Sequence, residues 1–273
     1  MTKIQLSVRA SLVALTCVAS SASQATTIAE WDFGTLAALA PDNTPSATTG
    51  SGSATSLGMT NTYTETGGGG NVSTTYDDVT KDTNSTFGNQ NVWRIRGAGS
   101  TPGNGWSINA PQYTQGAEFD TSTGGYNGVS VSFNWASTAQ GIANLQVQYT
   151  TNGSTWTNVG PLLTATVGNS STGGSFQTDT VNFGSLGITS VNNDARFGIR
   201  LVSAYNPTLG TYAGASSVIA GAPTAYNNNS GNWRIADFQV DGTASPVPLP
   251  ASAWLTLSGL VGLAGVFRRR RAR

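Results

Sequence analysis

Between residues 26 and 245 the chain alternates apolar and polar positions over short runs, the two-residue period of half-buried strands. Val129, Val131, Phe133 and Trp135 fall on one face of such a run, with Ser130, Ser132 and Asn134 on the other. Leu145, Val147 and Tyr149 alternate with Gln146, Gln148 and Thr150, and Phe197, Ile199 and Leu201 with Arg196, Gly198, Arg200 and Val202. Further strands are predicted over 28–33, 71–79, 91–97, 115–120, 161–167, 176–183 and 232–241. Asn152-Gly153, between 146–151 and 156–159, predicts a two-residue hairpin turn, because both residue types tolerate positive φ. No long segment of the body has a helical period, and 33–40 allows two turns at most. The stretch 41–56 and Gly67 to Gly70 read as loops, and 203–231 as an excursion across the body. About ten to twelve short strands with Gly and Asn turns predict an all-β domain of two packed antiparallel sheets, in a jelly-roll-like β-sandwich.

Both ends break this pattern. Lys3 and Arg9 precede an apolar run from Ala10 to Ala19, and Ser23-Gln24-Ala25 places small residues at −3 and −1. Residues 1–25 are therefore expected to be a signal peptide, handled by the secretion translocon and cut by signal peptidase after Ala25. Cys17 follows Ala14-Leu15-Thr16, which fits a lipobox poorly. It is the single cysteine, so the mature body has no thiol and folds without disulfides. At the other end Pro246, Pro248 and Pro250 stiffen the approach to an uncharged run from Ala251 to Phe267. At ~1.5 Å per residue this run spans roughly 26 Å, marginal for a ~30 Å hydrocarbon core. Arg268, Arg269, Arg270 and Arg271 follow and would stay in the cytoplasm, placing the body outside.

The order from Pro246 to Arg273 is Pro-x-Pro, small residues, Trp254, a short helix bearing Gly259, Gly262 and Gly265, and an Arg cluster. It resembles the PEP-CTERM sorting signal of Gram-negative bacteria in its Val-Pro-Leu-Pro-Ala form. Leu249 stands where the family name has Glu. The resemblance implies that a membrane-embedded, exosortase-like protease recognises Pro248-Leu249-Pro250, removes the tail and passes the body to the cell surface or exterior. It also implies an association with exopolysaccharide and biofilm. The domain plan is then 1–25 signal peptide, 26–243 ectodomain and 244–273 sorting signal. A looser resemblance, of Glu30-Trp31-Asp32-Phe33 and 233–242 to the first and last strands of bacterial extracellular carbohydrate-binding-like jelly rolls, implies that the terminal strands lie side by side.

Composition narrows the chemistry. Charged residues make up 10% of the chain and there is no histidine. Ser-His-Asp triads, Cys-His dyads and ordinary zinc sites are excluded. Net charge is zero overall, yet residues 26–245 hold six basic against thirteen acidic side chains, a balance of −7. Such a body repels a phosphate backbone, so no nucleic-acid partner is expected.

Carboxylates remain as acids. Glu118 and Asp120 share one face of a strand, roughly 7 Å apart, as a glycosidase pair requires and as an ordinary solvated strand face also shows. Glu30, Asp32, Asp237 and Asp241 are candidate Ca²⁺ ligands if the terminal strands pair. Trp106, Tyr113, Tyr205, Tyr212 and Tyr226 are candidate sugar-stacking rings, or core residues. The expectation is a non-enzymatic surface or matrix protein that requires no cofactor. The alternatives are a carbohydrate-binding or calcium-dependent adhesion module, or a carboxylate-based glycoside hydrolase.

Overall fold

The computed structural model describes residues 24–33, 40–41, 44–58, 63–64, 73–74, 78–81, 91–95, 110–139, 141–165, 176–215, 231–246 and 252. The first strands are β1 (Ala25–Trp31), β2 (Ala40–Pro41), β3 (Thr49–Gly50), β4 (Ser53–Leu57), β5 (Tyr63–Thr64), β6 (Ser73–Thr74) and β7 (Asp78–Lys81). They are followed by β8 (Asn91–Ile95), β9 (Gly116–Thr121), β10 (Tyr126–Ser137), β11 (Asn144–Thr150) and β12 (Thr157–Thr164). The last three are β13 (Gln177–Asn182), β14 (Phe197–Ser203) and β15 (Trp233–Ala244). One sheet runs β13–β10–β15–β8–β7–β2, with β1 also on β15 and β3 on β1. The other runs β12–β11–β14–β9–β4, and β5 pairs with β6 separately. The described residues form an all-β body, and their strand pairs are antiparallel.

The terminal strands do lie side by side: Thr27 pairs with Asp241 and Trp31 with Phe238. The same edge of β15 also holds β8, through Trp233–Ile95 and Ile235–Trp93. The change of partner falls at Asp237, which has φ 48° and sits where the β10–β15 register slips between Ser132 and Asn134. A bulge there twists β15, so two strands can use successive halves of one edge. Aspartate tolerates the left-handed conformation, and its carboxylate accepts a 2.7 Å hydrogen bond from Asn134 Nδ2.

Alternation fills the space between the sheets with aromatic rings. Phe238 of β15 stacks on Phe119 of the facing sheet, with centroids 3.7 Å apart and planes at 4°. Trp31 packs edge-on to both, at 5.2 and 5.6 Å. Trp93 meets Phe119 edge-on, and Trp135 meets Trp233 in the same way. All of these rings are essentially buried.

Three local expectations are corrected. The 41–56 stretch contains β3 and most of β4, and β4 pairs with β9 along its length. β4 buries only Ala54 completely, so it carries no alternating apolar signal. The strands expected at 156–159 and from 161 onward join as one strand, β12, with a bulge opposite Leu145 and Val147. Gly160, at φ 70°, and Pro161, which lacks an N–H, interrupt the ladder without ending the strand. Gln146 Nε2 braces the distortion by donating to the Val147 and Val159 carbonyls. The β11–β12 turn spans 151–156, longer than a two-residue hairpin, because Asn152 Oδ1 accepts from the backbone N–H groups of Ser154 and Thr155 and closes an Asx turn.

Candidate functional site

β9 reads Gly-Ala-Glu-Phe-Asp-Thr. Ala117, Phe119 and Thr121 point to the core, so Glu118 and Asp120 emerge together on the outer face. Pairing sets their neighbours: Arg200 and Gly198 of β14 lie opposite Glu118 and Asp120, with Thr55 and Ser53 of β4 on the other side. A directly opposed acid and base is a favourable cross-strand pair. Arg200 Nε donates to Glu118 Oε2 at 2.6 Å, with both side chains about four-fifths buried. The ring of Trp156, from the β11–β12 turn, covers the guanidinium with its centroid 3.9 Å from the central carbon. Gly198 makes this arrangement fit, since a Cβ there would run into the Asp120 carboxylate and the Trp156 ring.

Glu118 and Asp120 lean into hydrogen-bond contact. Burial, and then the Glu118 carboxylate, push Asp120 up to about 6 against the opposing pull of Arg200. The pair borders a cavity of about 500 Å³. Its wall includes Ser51, Ser53, Ser122, Arg196 and the open backbone of Gly153, while the Thr121 hydroxyl is donated to the Ser51 carbonyl.

A raised carboxyl pKa lowers stability once the group ionises. The folded state binds the Asp120 proton more tightly than the unfolded state, so the penalty is present above pH 6. It is relieved as pH falls from about 6 toward 4. Asp120→Asn is therefore expected to raise stability at pH 7.5 by about 1 kcal/mol, after allowance for screening at this half-buried site, and to change it little at pH 4. Asp179, raised by burial beside the Gln177 amide, contributes in the same direction and leaves part of the pH dependence in the variant. Thermal melts at the two pH values check this. An Asp120→Asn protein less stable than wild type at pH 7.5 would contradict it.

The other predicted groups are dispersed. Glu30 lies opposite Gln239, and Asp32 is exposed beyond the end of β1. Asp241 accepts from Gln239 Nε2 at 2.8 Å, and the same nitrogen donates to Thr27. Asp237 serves the bulge. Among the described residues, no group of three or more acidic side chains is placed to hold a metal ion. Tyr205 and Tyr212 do come together, edge to face at 4.7 Å. Tyr212 is buried, however, with its hydroxyl donated to the Pro111 carbonyl and close to Ser203, so its ring packs the body and cannot serve as an exposed platform. Tyr113 is half-buried at φ 69°, and its N–H donates to the Ser203 carbonyl. Trp106, Tyr226, Pro248, Leu249, Pro250, Trp254 and Arg268 to Arg271 lie outside the described residues. β1 begins at Ala25, so cleavage after that residue would leave Thr26 in register with Gly242. No helix among the described residues is long and apolar enough to cross a membrane.

Sequence reasoning found the two carboxylates and missed Arg200, Trp156 and Gly198 as their companions. Arg200 was visible on the polar face of its strand, but its distance from Glu118 in the chain hid the pairing. In class, the molecule is an antiparallel β-sandwich with a carboxylate–arginine–tryptophan cluster beside a surface cavity. No protein-family model matches the chain, and no curated protein matches it significantly.

Proposed function

We propose that this is an exported, non-enzymatic protein of the cell surface or extracellular matrix, delivered by an exosortase-like system and associated with exopolysaccharide. The order of the last 28 residues carries this reading: Pro-x-Pro, Trp254, a marginal apolar span and the Arg cluster. The fold agrees with it. β15, the last strand among the described residues, ends at Ala244, so removal of the tail at or after Pro248 leaves every described strand in place. The jelly-roll assignment belongs to the same proposal and is supported by consecutive strands β13, β14 and β15 alternating between the two sheets.

The non-enzymatic reading rests on the carboxylate pair. Glycoside hydrolysis places its two carboxyl groups ~5–10 Å apart across the scissile bond. Here Glu118 and Asp120 stand side by side on one face of the same strand, with Arg200 holding Glu118, rather than facing each other across a cleft.

The test is to recover the protein from spent medium and from membranes and to determine both end residues by mass spectrometry. The expected product starts at Thr26 and lacks the Arg tail. Deleting 248–273 should abolish its normal surface or matrix destination. A chain that keeps Arg268 to Arg271 and stays in the inner membrane would instead make the tail a plain anchor.

A further inference from the structure

Beyond delivery, and independently of it, we propose that the cavity beside Glu118, Asp120 and Arg200 binds a neutral saccharide, with ionised Asp120 accepting hydrogen bonds from its hydroxyls. The cavity, at about 500 Å³, is within the ~300–1,000 Å³ of small-ligand sites and has room for one or two sugar rings. Its wall hydroxyls, at Ser51, Ser53 and Ser122, both donate and accept, which matches a polyol. The charges select against other occupants. An anion meets two carboxylates. A cation meets Arg200, which already occupies one Glu118 oxygen, and Arg196 on the wall. A neutral ligand with many hydroxyls has no such opposition. The exposed part of the Trp156 ring lies beside the same cluster, over Arg200.

Binding should depend on pH. Protonated Asp120 directs its proton to Glu118 and offers no free carboxylate; ionised Asp120 does. The charged or titratable groups facing it are Glu118 on its own strand, Arg200 on β14 and Arg196 on the cavity wall, whereas β4 and the 151–156 turn present none. With titration at about 6, roughly one molecule in ten has Asp120 ionised at pH 5. Affinity at pH 5 should then be about tenfold lower than at pH 7.5.

The test titrates the purified full-length chain in detergent with glucose, galactose, mannose, maltose, cellobiose, glucuronate and CaCl₂, by calorimetry and tryptophan fluorescence. Saturable binding of at least one neutral sugar is expected at pH 7.5, weaker by about tenfold at pH 5. Asp120→Asn should weaken it at pH 7.5 by tenfold or more and remove the pH dependence. Ser53→Trp, which fills the cavity from the strand opposite Asp120, should abolish it. The idea is overturned if no neutral sugar binds, or if binding survives both substitutions. Binding of glucuronate or Ca²⁺ alone, lost in Asp120→Asn, would overturn it as well. Melting temperatures of the variants identify any that fail to fold, and either folded variant decides the question.

Discussion

Phe238→Ala is expected to lower the free energy of unfolding by about 3–5 kcal/mol, the range for deleting a buried aromatic ring from a packed core. Phe238 is completely buried and touches both sheets: Phe119 lies face to face with it, Trp31 edge-on, and Phe133 at 6.2 Å. Its neighbours are large rings fixed on three strands, so they cannot close the space left behind. The cost should therefore lie toward the upper end, since it grows with residual cavity volume. Leu186→Ala supplies the contrast. Leu186 is half exposed, and its truncation should move stability by about 0.5 kcal/mol or less. Urea denaturation of the two variants measures both values. A Phe238→Ala loss below about 1 kcal/mol would show that the rings between the sheets are loosely packed.

Gly116→Ala should cost about 3 kcal/mol, although it adds one methyl group. Gly116 opens β9 at φ 149°, a conformation that L side chains rarely adopt, and such positions carry about 1–3 kcal/mol of strain. The methyl would also land on the Leu201 carbonyl of β14, which is backbone and cannot rotate away. β14 would have to separate from β9 at the end where Gly116 pairs with Val202. Glu118 and Arg200 sit two residues further along that same ladder, so disturbance of the cluster should accompany the loss of stability. Thermal melts report the stability. Tryptophan fluorescence reports the disturbance through Trp156, whose ring rests on Arg200. A melting temperature equal to wild type would refute the assigned backbone geometry.

The fold was largely legible because two-sided strands announce themselves. In β10 one face is apolar and the other polar, and burial follows that alternation at Val129, Val131, Phe133 and Trp135, whereas β14 is buried on both faces except at Arg200. β4 was not legible. An edge strand with one fully buried alanine has no pattern to show, and its Ser, Thr and Gly composition is that of a loop. The β12 bulge was concealed for a related reason. Gly160-Pro161 ends most strands, and here Gln146 supplies the hydrogen bonds that the distorted ladder lacks.

The site divided along the same line. Glu118 and Asp120 are two residues apart, and the pleat alone puts them on one face. The sequence by itself thus determined an all-β body with an acidic balance, one carboxylate pair, no histidine chemistry, and two ends unlike the rest. Tertiary structure decided what the pair does. Only the registered neighbours, Arg200 and Gly198 across β14 with Trp156 from the turn, fix the ion pair and its aromatic cover, and only packing buries Asp120 enough to raise it. Register between residues 82 apart in the chain is set by how the whole core packs, which no local window of residues contains.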